Sequence, residues 1–215
     1  MEEQQIEEKK EETAQEPKDT LGDFMEICES IITSIFVVLL IFTFICRPVT
    51  VDGGSMQPTL NEVISPDVPE DKLLMTTFFY TPKVGDIVIV ENDESHYYKN
   101  GDNSELVTGT GLGKRLIKRV IATAGQTVNI DFENGIVYVD GEALSESYIK
   151  EPTYYNSGAF EYPVTVPEGY VFVMGDNRNN STDSRDPHVG FVKKDDVLGK
   201  AVLRFYPFEK FKVLD

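Results

Sequence analysis

At 215 residues and a formal charge of −17, the chain has room for one globular domain plus appendages. The acidic balance excludes a binder of nucleic-acid phosphates, which needs clustered Lys and Arg. With two cysteines and two histidines, no metal-ligand cluster is legible, and neither a metal nor a cofactor is expected.

Residues 1–26 carry ten Asp or Glu against three Lys. Charge runs of this kind are solvated, and the first twenty or so residues read as a disordered acidic tail. Residues 27–46, ICESIITSIFVVLLIFTFIC, follow. As a helix this run spans about 30 Å, the thickness of a bilayer's hydrocarbon core. A buried core helix is disfavoured, because the run is apolar on all sides and its flanking tail cannot cover it. A cleaved signal peptide is disfavoured by the lack of a basic n-region and of a small-x-small site before Arg47. One uncleaved transmembrane helix is the expectation. Lys18 on one side and Arg47 on the other leave its orientation undecided by charge. Cys28 and Cys46, at opposite ends of this run, would stand roughly 27 Å apart on one helix. A disulfide needs Cα atoms within about 7 Å.

From Pro48 onward the pattern is β. Strand formers fill 73–80, and Gly85-Asp86 leads into the buried-strand run Ile87-Val88-Ile89-Val90. Residues 91–113 are polar and glycine-bearing and read as a long exposed loop. Further strands are expected at 116–122, 127–132, 136–139, 170–174 and 197–205. Glu133-Asn134-Gly135 turns the second of these into the third as a hairpin, Pro207 stops the last, and 154–162 is irregular and aromatic. No other helix is legible, so 47–215 is expected to be a mainly β, antiparallel domain carrying one N-terminal transmembrane helix.

Three stretches bear chemistry. In Val51-Asp52-Gly53-Gly54-Ser55-Met56-Gln57-Pro58-Thr59-Leu60, two glycines allow close backbone approach and Pro58 stiffens the exit. Such a turn can hold one hydroxyl out in a fixed direction beside a backbone N–H, as a nucleophilic serine requires. Alone it is as readily an ordinary Gly-Gly-Ser turn. In Arg115-Leu116-Ile117-Lys118-Arg119-Val120-Ile121, strand alternation puts Leu116, Lys118 and Val120 on one face and Ile117 and Arg119 on the other. An ammonium on an apolar face loses affinity for its proton and can act as a base towards a serine. Alone it is as readily a surface lysine on an edge strand. In 175–185, Arg178 and Arg185 are available to Asp176 and Asp183. This stretch is either a solvated loop or a polar scaffold with a hydroxyl to orient the lysine.

Together, and in this order, the three stretches resemble the type I signal peptidases, membrane-bound serine proteases with a Ser–Lys dyad. The matching motifs are Gly54-Ser55-Met56-x-Pro58-Thr59-Leu60, Ile117-Lys118-Arg119-Val120-Ile121 and Gly175-Asp176-Asn177-Arg178-Asn179-Asn180-Ser181-x-Asp183-Ser184-Arg185. Val84-Gly85-Asp86-Ile87-Val88 and the closing Gly199-Lys200-Ala201 and Arg204-Phe205-Tyr206-Pro207-Phe208 also look like family segments. The resemblance implies Ser55 as nucleophile, Lys118 as general base and Ser181 as the hydroxyl that holds the amine. It implies Arg119, Asp176, Arg178, Asp183 and Arg185 as scaffold, and the Ser55 N–H as one oxyanion donor. Gly53 stands where part of the family has a second, hydroxyl donor, so a backbone N–H or water takes that role here. A further departure is Ala122-Thr123-Ala124-Gly125-Gln126, where the family more often has Gly-Leu-Pro-Gly-Asp. Val49, Val51, Met56, Leu60, Leu116 and Ile117 match residues lining the pockets for small side chains one and three residues before the cleaved bond. The implied substrates are signal peptides of exported preproteins. The implied placement is a single-pass cell-membrane protein with 1–26 cytoplasmic, 27–46 in the lipid bilayer and 47–215 outside, Gram-positive in type. The nine residues from Cys46 to Ser55 reach at most about 30 Å, which keeps Ser55 near the bilayer surface.

Other readings fit less well. A Ser–Lys autoprotease that regulates transcription needs a helix-turn-helix and no membrane span. A tethered binding module would not be expected to keep both Ser55 and Lys118. A Ser–His triad would have to use His96 or His188, both read as exposed loop residues. Oligomeric state is not legible.

Overall fold

The computed structural model describes residues 20–214 except 64, 66, 78, 79, 100–102 and 104. The acidic tail expected over the first residues lies outside the described residues up to residue 19. The chain forms two compact units, Met1–Thr43 and Phe44–Asp215.

The first unit contains all but the last residue of helix α1, Thr20–Phe44. Within it Leu21–Thr43, with mean hydropathy 2.2 and none of it buried, is long and apolar enough to cross a membrane. The helix starts earlier than the apolar run because Leu21, Phe24 and Met25 continue the apolar spacing backwards. Asp23 in its first turn complements the helix dipole. It stops at Phe44 because Pro48 cannot extend a helix and forces Arg47 into extended backbone. Cys46 therefore belongs to the first strand and not to the helix, and both cysteines are free.

Among the described residues the second unit holds twelve strands. In chain order these are β1 (Cys46–Thr50), β2 (Lys72–Thr76), β3 (Ile87–Tyr98), β4 (Leu106–Thr123), β5 (Thr127–Asp131) and β6 (Ile136–Val139). Then come β7 (Glu142–Ala143), β8 (Val164–Thr165), β9 (Tyr170–Met174), β10 (Val192–Lys193), β11 (Val197–Tyr206) and β12 (Lys212–Val213). One sheet runs β1-β2-β11-β3-β4-β9-β10 with β12 on β11, and a second runs β7-β6-β5-β8. Every pairing among the described residues is antiparallel. Helical structure in this unit is limited to three-residue 3-10 turns among the described residues.

The continuous apolar run Ile87–Val90 is explained by burial on both faces. Ile87 and Ile89 enter a core with Val51, Met56, Leu60, Leu73 and Met75, while Val88 and Val90 enter another with Leu116, Val120, Val171 and Val173. A third core joins the sheets: Ile121, Phe172 and Met174 of the larger meet Val128, Ile130, Val137 and Val164 of the smaller, around Phe160 and Phe191.

The long loop expected at 91–113 is instead the outer part of a hairpin. β3 and β4 stay paired as far as Tyr98 and Leu106, with one register shift between Asn92 and Glu94. Its glycines are not loop punctuation. A Cβ on Gly111 would collide with the Asn92 carbonyl, and one on Gly109 would crowd Ser95 and Tyr97, so these positions permit close strand approach. His96 on this arm is not an exposed loop residue. It is 2% exposed, its backbone bridges Phe191, and its ring sits edge-on to Tyr170 with Nδ1 3.1 Å from Thr108 Oγ1. Burial pushes its imidazole below the usual range. His188 is exposed and bonds Asp186, as expected for a loop.

Gly111→Ala should destabilise the β domain by about 2 kcal/mol through overpacking. Thermal unfolding of the detergent-solubilised chain should show a melting temperature lower by several degrees. An unchanged Tm would contradict the pairing of the arm.

Candidate active site

The segment after β1 carries Ser55 on a tight turn. Gly53 has φ +76°, a conformation costly for any residue with a Cβ. Leu60 N–H bonds Met56 O at 2.9 Å and Gln57 N–H bonds Gly54 O at 3.2 Å, so the chain coils once just after the serine. Val51, Met56 and Leu60 anchor the segment in the core. Asn61 fastens it from behind, donating to Val51 O at 2.8 Å and to Gly53 O at 3.1 Å. Asn61 exchanges two bonds with Asp71, whose Oδ2 also takes Arg204 Nη1 at 3.0 Å. The Ser55 N–H makes no hydrogen bond among the described residues.

Lys118 lies on β4, between Leu116 and Val120 on the same face, and is 3% exposed. Its Nζ stands 2.8 Å from Ser55 Oγ and 3.1 Å from Ile117 O. Burial pushes the amine down to about 8; Asp183 and Asp176 pull against this, while Lys114 and Arg185 add to it.

The stretch after β9 is a buried polar framework. Arg119, on the opposite face of β4 from Lys118, makes a two-pronged pair with Asp176 (Nε–Oδ1 2.9 Å, Nη2–Oδ2 2.7 Å) and lies 4.0 Å from the centre of the Tyr148 ring. Asp176 also accepts from the Thr59 hydroxyl, tying this pair to the serine segment. Arg185 makes a similar pair with Asp183 (Nε–Oδ1 and Nη2–Oδ2, both 2.8 Å) and donates to Arg178 O. Asp183 accepts in turn from the Gly175 N–H at 2.9 Å. Burial alone would raise the Asp183 carboxyl, but the Arg185 charge and hydrogen bonds and the Gly175 N–H hold it below the usual range. Arg178 pairs with Glu146 and bonds Thr153 Oγ1 at 3.0 Å and Gly175 O at 3.1 Å. Asn177 clamps the serine turn: its N–H bonds Ser55 O at 3.0 Å and its side chain bonds Gly54 O at 2.9 Å.

The Ser181 hydroxyl makes no bond to the Lys118 amine here. It is buried without a partner among the described residues, packed so closely on Gly175 that a Cβ there would collide with it and with the Ser55 carbonyl. Of the expected pocket residues, Val49, Leu116 and Ile117 line a cleft of about 410 Å³ together with Gly53, Ser55 and Lys118. Val51, Met56 and Leu60 are buried in the core beneath the serine segment. Sequence reading missed Asn61, Asp71, Glu146 and Tyr148, which reach the site from scattered loops, and gave no role to Arg204 on β11, although it lies in a recognised segment. Asn177 lay within a recognised motif without an assigned role. Among the described residues no group of three or more His, Cys, Asp or Glu is placed to hold a metal.

An antiparallel β domain with a serine hydroxyl against a buried amine in an open cleft has the form of a serine hydrolase. The family described as signal peptidase, peptidase S26, matches residues 24–206. The chain is 40% identical over 185 residues to a probable signal peptidase I-1 of Synechocystis sp., covering 84% of this chain and 82% of that protein. It is 32% identical over 212 residues to a signal peptidase I of Bacillus licheniformis, covering 94% and 100%. A crystal structure of a signal peptidase I from Enterococcus faecalis V583, 30% identical, covers 56% of this chain and 97% of that one at TM-score 0.39. The chain belongs to the peptidase S26 family of signal peptidases.

Asp183→Asn should destabilise the domain by about 3–5 kcal/mol, because it leaves the Arg185 guanidinium buried without its counter-charge. In the parent chain the depressed Asp183 pKa stabilises the fold above the unfolded value of about 3.9 and is lost as pH falls through the folded value. The depressed Lys118 has the same pH slope but acts as a cost, at a higher pH. Stability falls as pH drops from the unfolded lysine value of about 10.4 to the folded one, then levels off. Melting temperatures of both chains across pH test this; equal acid sensitivity would exclude Asp183 as a source.

Proposed function

We propose that this serine hydrolase is anchored in the cell membrane by one helix and removes signal peptides from exported preproteins, with Ser55 as nucleophile and Lys118 as general base. The observation that carries the reading is the 2.8 Å contact between Ser55 Oγ and a Lys118 amine that burial has brought down to about 8. An amine so lowered is partly neutral near pH 8, and in that state it can accept the Ser55 proton. Ser55 Oγ then attacks the scissile carbonyl, and the free Ser55 N–H is available to the oxyanion that forms. The Lys118 ammonium passes its proton to the departing amine of the mature protein. An acyl group remains on Ser55. Lys118, neutral again, takes a proton from water; the hydroxide attacks the ester carbonyl, the ester bond breaks, and Ser55 recovers its proton from the ammonium.

The cleft suits an extended peptide. β9 pairs with β4 only over Arg119–Thr123, so 114–118 is strand-paired on its β3 side alone, and β1 is an edge strand. Both stretches line the cleft, where a substrate strand can pair with free backbone groups. Val49, Leu116 and Ile117 narrow it, which favours small side chains near the cleaved bond. Arg119, Asp176, Arg178, Asp183 and Arg185 serve as the framework that holds both catalytic segments, and the Ser181 hydroxyl, without a partner among the described residues, is available to the amine. Gly53 serves by its conformation, bending the chain into the serine turn. In this reading 1–26 is cytoplasmic, 27–46 spans the membrane and 47–215 works outside.

Ser55→Ala and Lys118→Ala should each abolish preprotein processing, and the double variant should be no worse than either, as for groups that act as one unit. Lys118→Arg should be inactive as well, because guanidinium keeps its proton. For the parent chain kcat/KM should rise through about pH 8, the lysine value. Substantial activity of Lys118→Arg, or a profile flat across this range, removes lysine from the role of base.

Topology is tested separately on intact cells freed of their wall. Added protease should digest the β domain, and a tag placed before residue 20 should stay protected. Loss of the tag with survival of the β domain would reverse the orientation.

A further inference from the structure

Lys114 lines the same cleft as Ser55 and Lys118; its charge helps to lower the Lys118 amine, but it has no role towards substrate in the chemistry above. Residues 114, 116 and 118 lie on one face of β4, since side chains alternate along a strand. Lys114 is thus about 13 Å along the strand from Lys118, on the free edge where a substrate strand would lie. It is exposed, and among the described residues no carboxylate pairs with it. Its neighbour Arg115, pointing to the other face, is the one near Glu91, at 3.9 Å. The chain as a whole carries −17, so this cation does not belong to a generally basic surface.

We propose that Lys114 is a specificity-determining residue that reads the charge of the substrate side chain five residues before the cleaved bond, favouring an acidic one and disfavouring a basic one. The inference rests on the function proposed above. An extended substrate lying along β4 has the same spacing as the strand. With the residue before the cleaved bond beside Lys118, and the third before it beside Leu116, the fifth lies beside Lys114. Both groups sit at an open rim, so the interaction is a modest, screened Coulomb effect and not a buried pair.

The test is kcat/KM of the detergent-solubilised full chain on three signal-sequence peptides that differ only at that fifth position: Glu, Gln or Lys. The parent chain should prefer Glu to Gln by roughly threefold and Glu to Lys by roughly tenfold at low salt, with both ratios shrinking towards one at 1 M salt. Lys114→Gln should flatten the series and Lys114→Glu should invert it. Equal rates on all three peptides in the parent chain, or an order that Lys114→Glu leaves in place, overturns the proposal while the peptidase function stands. Cleavage of none of the three by the parent chain overturns the peptidase function and this inference with it.

Discussion

The Lys118 amine meets the Ser55 hydroxyl at 2.8 Å from within a strand that is almost wholly covered. An amine resists such a position, because burial withdraws the water that stabilises its charge. The domain supplies partial compensation: the Ile117 carbonyl at 3.1 Å, and the fields of Asp183 and Asp176. That balance leaves the lysine lowered to about 8, neither firmly charged as at a surface nor permanently neutral. It depends on the positions of the serine turn and of the carboxylates, which come from elements far apart in the chain.

Those positions are held by a chain of buried ion pairs. Arg119–Asp176 joins β4 to the stretch after β9, and Thr59 extends that link to the serine segment. Arg185–Asp183 and Arg178–Glu146 brace the same stretch from within and from behind. Buried ion pairs add little net stability compared with well-packed apolar groups. Their value here is geometric: each guanidinium joins a carboxylate to a backbone carbonyl, as Arg185 does with Arg178 O and Arg119 with Gly85 O. The cores then stop the framework from sliding, since Val51, Met56 and Leu60 fasten the serine turn on one side of β3 while Leu116 and Val120 fasten the lysine strand on the other.

The cleft follows from the same arrangement. The larger sheet brings its β1 edge and the stretch 114–118 of β4, paired on its β3 side alone, to one opening, lined also by Gly53 and Ser55. Free strand edges usually invite aggregation. Here one edge stretch carries Lys114 and Arg115 and the other contains Pro48, both features that discourage strand pairing between copies while leaving room for a single extended peptide.

Much was legible in the sequence because its signals are local. The apolar run around 31–44, the Ile87–Val90 strand, the 127–139 hairpin and the motifs holding Ser55, Lys118 and 175–185 depend on neighbouring residues, and the family match extends over the same stretches. Polar composition misled where burial was decided at long range. The 91–113 stretch looked like a loop because its alternation is broken by glycines, yet Gly109 and Gly111 are where β3 and β4 approach closely, and His96 is buried by Tyr170 and Phe191 from later in the chain. The braces Asn61, Asp71, Glu146 and Tyr148 carry no sequence signature, because an isolated Asn or Glu acquires its partner only when the chain closes. The sequence by itself thus determined the membrane-length helix, the β character of the rest and which groups could form a dyad. Tertiary structure alone decided that Lys118 is buried against Ser55, that Ser181 lies against Gly175 without bonding the amine, and that Val51, Met56 and Leu60 support the site from the core. The physical reason is that proton affinity and exposure depend on everything within several ångströms, and most of that neighbourhood comes from residues distant in the chain.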